Sequence, residues 1–257
     1  MKIATWNVNS IRQRIDRVAA WTGRERPDVL CLQETKCVDE LFPLEPFTSQ
    51  GYHVELYGQR TYNGVAILSL TPMTEVVRGL PDDPPDADRR LLAATIAGVR
   101  VVDIYVPNGQ SVESEKFPFK LRWLERLHAF LAATASPRDP LLLLGDFNIA
   151  PEDRDVHDPE LWRGQVLFHP LEHEALGRLT GWGLHDLFRL HHAEGGFYSW
   201  WDYRMLGFPK NRGLRIDLVL GTAPMRDRST AATIDRNERK GKSPSDHAPV
   251  VVEIAAG

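Results

Sequence analysis

A carboxylate and a carboxamide follow an uninterrupted apolar run in segment 141–148, LLLLGDFN. Four consecutive leucines are typical of a short strand buried on both faces, and Asp146 and Asn148 come directly after it. Ligands in α/β sheets collect beyond the carboxyl ends of strands, so these two side chains are candidates for chemistry. Asp and Asn also favour turns, and the segment alone leaves a plain polar turn equally open.

The same arrangement, a predicted strand followed by polar residues, recurs along the chain. The residues delivered in this way are Asn7, Asn9, Glu34, Tyr105, Asn108, Asp146, Asn148, Asp217, Asp246 and His247. Two packed sheets with helices outside would bring these strand ends to one rim. Glu34, Asp146 and Asp246, with the asparagine amides, would then supply the hard oxygen ligands that suit Mg²⁺. The absence of a Cys/His cluster argues against zinc.

A histidine follows one of these carboxylates in the motif SDHAPV at 245–250, which leads into a predicted strand. His247 is suited to orienting or stabilising a phosphate oxygen if a buried carboxylate such as Asp217 holds its ring. An isolated Asp-His pair is common by chance, so this motif gains weight only together with the others.

Apolar periodicity predicts the elements that carry these residues. Strands are predicted at 2–8, 29–32, 52–57, 65–70, 75–78, 91–97, 100–106, 141–144, 214–220, 230–236 and 249–254, and helices at 11–23, 116–135 and 172–180. The strands between 52 and 106 have the spacing of an antiparallel meander. Segments 42–50 and 151–173 are predicted to be irregular, and Ser10 is predicted to cap the first helix.

Composition indicates an ordinary globular protein, with 42% hydrophobic and 26% charged residues in 257. Its two cysteines are too few for a disulfide framework, no apolar run approaches the roughly 20 residues of a membrane span, and the first residues lack a signal-peptide core. No Gly/Ser-rich linker divides the chain. We therefore expect a single domain over residues 1–257, in the cytoplasm, an intracellular, reducing compartment.

Charge is distributed unevenly around a formal net charge of −4. Segment 203–242 holds ten Lys or Arg against four Asp or Glu, which leaves +6 there and −10 in the remainder. This asymmetry fits a basic rim beside an acidic, metal-binding floor, or a charged face that is merely solvated.

Six motifs together carry a resemblance to a known family. They are WNVNSIR at 6–12, LQETK at 32–36, YVPNG at 105–109, GDFNIAP at 145–151, NRGLRIDLVL at 211–220 and SDHAPV at 245–250. In this order they resemble the exonuclease III family of AP endonucleases, within the endonuclease/exonuclease/phosphatase superfamily. FYSWWDYR at 197–204, followed by NRGLRID, is more specific for the DNA-repair branch. The resemblance implies an α/β (α+β) fold, a four-layer α/β sandwich of two packed mixed β-sheets flanked by helices.

The resemblance also implies roles for the candidate residues. It makes Glu34 the principal metal ligand with Asn7 and Asp246 close to the ion, and Asn9 stands where some relatives have Asp. Asp146 would activate water or protonate the leaving group, and Asn148 would orient the nucleophile; both are second-metal candidates. Tyr105 and the His247–Asp217 pair would hold or polarise the scissile phosphate.

Contacts with DNA are implied by the same resemblance. Trp200, Leu214 and Ile216 would line a pocket for an extrahelical abasic sugar, although one of the adjacent indoles at 200–201 is expected to pack inward. Backbone phosphates would be contacted by Asn108, Arg204, Asn211 and Arg212. The segment PNGQSVES after Tyr105 lacks the arginine that some relatives insert into the duplex.

The activity implied is that of a Mg²⁺-dependent AP endonuclease, with Mn²⁺ as a substitute, cutting damaged double-stranded DNA 5′ to an abasic site. Associated 3′-5′ exonuclease and 3′-phosphatase or phosphodiesterase activities are expected. A monomer with no obligate protein partner and no membrane contact is the simplest form. Two alternatives remain: a superfamily phosphatase or nuclease on another substrate, and a non-enzymatic nucleic-acid-binding regulator.

Overall fold

Twelve strands form the framework of the computed structural model, which describes residues 1–256. They are β1 Lys2–Asn7, β2 Val29–Gln33, β3 His53–Tyr57, β4 Val65–Ser69, β5 Met73–Arg78, β6 Leu91–Ile96, β7 Val99–Tyr105, β8 Leu141–Asp146, β9 His185–Asp186, β10 Asp217–Gly221, β11 Ser229–Ile234 and β12 Val250–Ile254. Six helices connect them: α1 Ile11–Glu25, α2 Glu45–Thr48, α3 Lys116–Thr134, α4 Pro159–Trp162, α5 Pro170–Trp182 and α6 Ala223–Arg226.

The strands divide into two six-stranded mixed sheets. The first has the order β11-β12-β1-β2-β4-β3 and the second the order β5-β6-β7-β8-β10-β9. Among the strands of residues 1–256, β1 with β2 and β7 with β8 pair in parallel, and the other neighbours are antiparallel. The predicted mixed sheets are confirmed.

Alternate side chains of β8 show how the layers stack. Leu142 and Leu144 enter the core between the two sheets, together with Ile3 of β1. Leu141 and Leu143 face the other way and pack against α3 and α5. On the far side of the first sheet, α1 and α2 cover a separate core. The result is the predicted four-layer sandwich, and the leucine run is apolar because both of its faces are buried.

The start of α1 departs from its predicted cap. The side chain of Ser10 makes no capping hydrogen bond, and its φ of +87° differs from the extended backbone of an ordinary N-cap. The backbone amides of Ser10 and Ile11 donate to Glu34 O (2.7 Å) and Thr35 O (3.1 Å). The loop after β2 therefore satisfies the first helical amides and ties α1 to the residue predicted to bind metal.

Several sequence-based boundaries were wrong. The expected meander is split, because β3 pairs with β4 in the first sheet while β5, β6 and β7 pair in the second. The segment expected to be irregular at 42–50 contains α2, and β9 and α6 were missed. The strand expected from residue 214 begins at Asp217, since Leu214 instead forms isolated bridges with Val156 and Trp200. Within residues 1–256, none of the helices combines the length and apolarity needed to cross a membrane.

Candidate active site

Strand register brings the polar residues together at one end of the two sheets. In the second sheet, Asp146 at the end of β8 has Tyr105 of β7 as its neighbour on one side and Asp217 of β10 on the other. In the first sheet, β1 and β2 run in parallel and end beside each other at Asn7 and Gln33. Glu34 follows immediately, so the predicted convergence is present.

The residue before Asp146, Gly145, lies where a side chain cannot be accommodated. Its φ is +145°, and a Cβ there would clash with the carbonyl oxygen of Ile104 on the neighbouring strand. Glycine alone tolerates both the conformation and the close approach. Any other residue would displace Asp146 from its position between the flanking strands.

Asn7 links the two sheets at the centre of the site. Its Nδ2 donates to Glu34 Oε1 (2.8 Å) and to Asp146 Oδ2 (2.9 Å). Burial raises the pKa of Asp146 to about 7, while His247 and the hydrogen bond from Asn7 oppose the shift. Asp146 is thus a buried carboxyl group whose pKa lies above that of an ordinary aspartate.

His247 lies between two buried carboxylates. Its Nδ1 is 2.8 Å from Asp217 Oδ2 and its Nε2 is 3.7 Å from Asp146 Oδ2. Burial alone lowers the pKa of His247, but the charges of Asp217 and Asp146 outweigh it and raise the value to about 10. The imidazolium is therefore held in one orientation, with its Nε2 side facing Asp146.

Tyr105 lies beside Asp146 on the neighbouring strand β7, opposite Asp217 of β10. Burial raises the pKa of its phenol well above the ordinary value, and the nearby charges of Glu34 and Asp146 add to that effect. Arg90 stacks over its ring at 4.8 Å from the centroid. A neutral phenol in this place is suited to donating a hydrogen bond to a phosphate oxygen.

Asp246 is joined to the metal candidates through Asn9. Its Oδ1 accepts from Asn9 Nδ2 and its Oδ2 from the indole Nε1 of Trp200, both at 3.0 Å. Burial acts to raise the pKa of Asp246, but His247 and these hydrogen bonds lower it overall. Asp246 is held ionised and orients Trp200 at the rim.

The donor set fits a hard divalent ion. Glu34, Asp146 and His247 each offer a ligand atom within 4.8 Å of the others. Lys36 Nζ lies 2.7 Å from Glu34 Oε2 and 2.6 Å from Asn9 Oδ1, so these oxygens already face a cation. Carboxylate and amide oxygens suit Mg²⁺, and His247 is engaged with Asp217 instead.

Two residues that position the loops of the site were missed by sequence reasoning. Lys120 and Glu172 form an ion pair in which both side chains are fully buried. Lys120 Nζ also donates to Asn148 O (2.6 Å) and Asn108 O (3.2 Å), which fixes the loops that follow β8 and β7. A lysine on the apolar stripe of α3, beside Phe117 and Leu124, was the available signal.

Asn148 and Asn108 are bonded to each other. Asn108 Nδ2 donates to Asn148 Oδ1 (2.9 Å), and Asn148 Nδ2 donates to Val106 O (3.0 Å). The backbone amide of Asn148 donates to Asp146 Oδ1 (2.9 Å). These contacts hold the side chain of Asn148 in one orientation. They also fix the direction of the second N–H of its side-chain amide, the one that does not donate to Val106 O. Asn108 remains exposed, as a DNA contact requires.

The two adjacent tryptophans have different environments. Trp201 is fully buried, while Trp200 is partly exposed beside Asp246. Leu214 and Ile216, the other predicted pocket walls, have 0% and 1% exposure and pack in one apolar cluster with Trp200 and Leu167. The predicted walls thus lie together, but their surface is already covered by the protein.

The predicted phosphate contacts also differ among themselves. Arg204 and Arg212 are exposed. The side chain of Asn211 is used internally, since it accepts from Trp201 Nε1 (3.2 Å) and donates to Gly196 O (3.3 Å). Within the basic segment, Arg215 is buried and paired with Asp155 at 2.6 Å. Part of the positive charge counted for the basic rim is therefore structural.

Comparison with known proteins agrees with this architecture. The profile of the Endonuclease/Exonuclease/phosphatase family matches residues 4–247, so the chain belongs to that family. It is 36% identical over 266 aligned residues to the exodeoxyribonuclease III of Haemophilus influenzae, covering 99% of this chain and 100% of the relative.

Solved structures are similar over the whole chain. An AP endonuclease from Archaeoglobus fulgidus has a TM-score of 0.96 at 40% identity, with 100% of both chains covered. The 3′ phosphatase NExo from Neisseria, bound to product DNA hairpin, has a TM-score of 0.95 at 41% identity, also with 100% of both covered. Within the family the chain is therefore of the exodeoxyribonuclease III and AP endonuclease type, a nuclease that hydrolyses phosphodiester bonds.

Proposed function

We propose that the chain is a Mg²⁺-dependent DNA-repair nuclease that cuts damaged duplex DNA 5′ to an abasic site and also processes 3′ ends. Mn²⁺ is expected to substitute for Mg²⁺. The observation that carries the proposal is the position of Asp146 Oδ2, 2.9 Å from Asn7 Nδ2 and 3.7 Å from His247 Nε2, because it places a candidate acid/base group beside both the oxygen donors and a fixed imidazole. The relatives named exodeoxyribonuclease III, AP endonuclease and 3′ phosphatase support the same substrate.

The metal would be held by Glu34, with Asn7, Asn9 and Asp246 close by, and Asp146 and Asn148 are candidates for a second ion. When bound, Mg²⁺ neutralises phosphoryl oxygens and stabilises the departing 3′-oxygen. These residues are suited to it because they are oxygen donors grouped at one place, and Lys36, whose Nζ lies 2.7 Å from Glu34 Oε2, would compete with the ion for that carboxylate.

The protein's own groups divide the remaining work. The imidazolium of His247, held by Asp217, donates a hydrogen bond to a phosphate oxygen, and the phenol of Tyr105 donates another from the opposite side. Asp146, with its pKa of about 7, accepts a proton from the attacking water or returns one to the leaving oxygen. Asn148 orients the reacting groups through the second N–H of its side-chain amide, because the first one donates to Val106 O.

A specific observation favours a second candidate, an enzyme that acts mainly on 3′ ends. An extrahelical abasic sugar needs accessible pocket walls, and Leu214 and Ile216 expose 0% and 1% of their surface. Leu167 lies in the same cluster with a φ of +78°. Opening this pocket for a sugar would require that cluster to rearrange, whereas a terminal phosphate needs no such pocket.

Three duplexes separate the candidates: one with a single abasic site, one with a recessed 3′ end and one with a 3′-phosphate. Each is incubated with Mg²⁺ or with EDTA, with Glu34→Ala as the control. Incision at the abasic site supports the first candidate, and release of nucleotide or phosphate alone supports the second. No Mg²⁺-dependent product from any duplex would instead indicate a binding regulator, and turnover of inositol phosphates a different superfamily substrate.

The proposal also covers the domain organisation, oligomeric state and compartment of the enzyme. We infer one domain over residues 1–257, acting as a monomer on double-stranded DNA in the cytoplasm. Cys31 and Cys37 are both free, which agrees with a reducing compartment. Sedimentation of the purified chain at working concentration tests the monomer, and limited proteolysis tests the single domain.

A further inference from the structure

A cleft of about 600 Å³ opens on the Tyr105 side of the active site. Its walls include Tyr62, Arg90, Tyr105, Asn108, Lys116 and Phe119, and we call it the Tyr62 cleft. Because β7 and β10 flank β8 on opposite sides, this cleft lies across Asp146 from the cluster that contains Leu214. It is therefore separate from the pocket predicted for an abasic sugar.

Two aromatic rings are exposed in the cleft. Tyr62 exposes 67% and Phe119 39% of its surface. A single exposed apolar side chain is ordinary on a protein surface, but these two line one cavity that also reaches the catalytic Tyr105. Aromatic platforms of this kind bind nucleic-acid bases by stacking, which tolerates any sequence because every base has a π-face.

Both rings belong to segments that are hydrogen-bonded to the catalytic loops. The loop of Tyr62 is bonded to the loop of Glu34 through Thr35 N to Gly64 O (3.1 Å) and Lys36 N to Asn63 O (3.0 Å). Phe119 precedes Lys120 in α3, whose ammonium holds the loops at 108 and 148. A base stacked on these rings would consequently lie beside the loops that carry Glu34, Asn108 and Asn148.

Charge in the cleft suits a phosphate. Lys116 is exposed in the first turn of α3, and no salt bridge to it occurs within residues 1–256. The amino terminus of this 19-residue helix adds positive potential beside it. Arg90, by contrast, is paired with Asp88 at 3.0 Å and stacked on Tyr105. Its charge is already neutralised, so Arg90 forms part of the cleft wall and is not assigned to the phosphate.

We infer that the Tyr62 cleft binds one unpaired nucleotide of the DNA strand, directly adjacent to the scissile phosphate. Its base stacks on Tyr62 and Phe119, and its phosphate pairs with Lys116. The position follows from Asn108, which belongs to the cleft and is also bonded to Asn148 in the active site. This inference rests on the proposed function and adds a preference for termini whose end nucleotides are unpaired over fully paired ones.

The preference is measured with two 3′-labelled duplexes that differ only in a paired or mismatched terminal nucleotide. Wild-type protein is expected to turn over the mismatched end faster. The double variant Tyr62→Ala/Phe119→Ala should lose about tenfold on the mismatched end and change little on the paired one. Tyr62→Phe keeps the ring and should retain the preference. Leu190→Ala, which alters an exposed apolar residue outside the cleft, is the matched control.

Binding is followed separately with 2-aminopurine as the mismatched nucleotide, whose fluorescence is quenched when it stacks. Quenching by wild type and its loss in the double variant support the cleft. An unchanged mismatch-to-paired ratio in the double variant would overturn the inference while leaving the nuclease intact. If wild type cleaves neither duplex, the proposed function fails instead, and the quenching experiment alone decides the cleft.

Discussion

Replacing Lys120 by Met removes the cation from a fully buried ion pair and leaves the carboxylate of Glu172 behind. Lys120 Nζ contacts Glu172 Oε1 at 2.5 Å and two loop carbonyls besides, so three partners lose a donor. Breaking a buried pair in this way costs about 3–5 kcal/mol of unfolding free energy. At about 2–4 °C per kcal/mol for a chain of this size, we expect Tm to fall by roughly 6–20 °C.

Four proteins test the magnitude by denaturant and thermal unfolding: wild type, Lys120→Met, Glu172→Met and the double variant. The double variant should lose less than the sum of the singles, because no unpaired buried charge remains. Arg178→Met is the control, since its pair with Glu174 is 43% and 66% exposed and should contribute about 0.5 kcal/mol or less. Losses below about 1 kcal/mol in both single variants, or strict additivity, would refute the reasoning.

Three further outcomes are expected. Asp146→Asn should lower kcat by at least ~10²-fold, and a drop of less than tenfold would remove Asp146 from the mechanism. In EDTA, the difference in unfolding free energy between wild type and His247→Gln should be largest below pH 6.5. It should shrink as pH rises toward the folded pKa of His247, about 10, because the raised pKa stabilises only the protonated state. Urea unfolding at several pH values measures this difference, and a difference that grows with pH contradicts the assignment. Lys36→Met should tighten Mn²⁺ binding about fivefold by calorimetry, since the ammonium no longer pairs with Glu34; weaker binding would mean that Lys36 orients the ligand instead.

Part of the sheet framework was predictable from sequence because strands such as β4 and β8 are short and buried along their whole length. The leucine run of β8 is buried on both faces, and the polar residues come at the strand ends. The pairing of strands was less accessible. After β4 the chain could pair β5 in the same sheet or cross to the other sheet. Packing between the sheets decides this, and the local periodicity of the sequence does not show it.

Side-chain environments at the site were harder to predict than residue types. Trp200 and Trp201 are chemically identical, and only the tertiary structure shows that Trp201 faces inward. Arg215 was counted with the basic rim because its partner, Asp155, lies 60 residues away in sequence. Lys120 and Glu172 are similarly 52 residues apart, so no local pattern couples them.

The position of β1 between β2 and β12 has a consequence for how the enzyme matures. During synthesis, one edge of β1 stays without a partner until residues 250–254 emerge, although β2 is available early. His247 lies three residues before β12, so we expect it to reach Asp217 and Asp146 when β12 docks beside β1. Such long-range closure is slow. Nuclease activity should therefore appear late, and a partly made chain would be unable to cut the DNA around it.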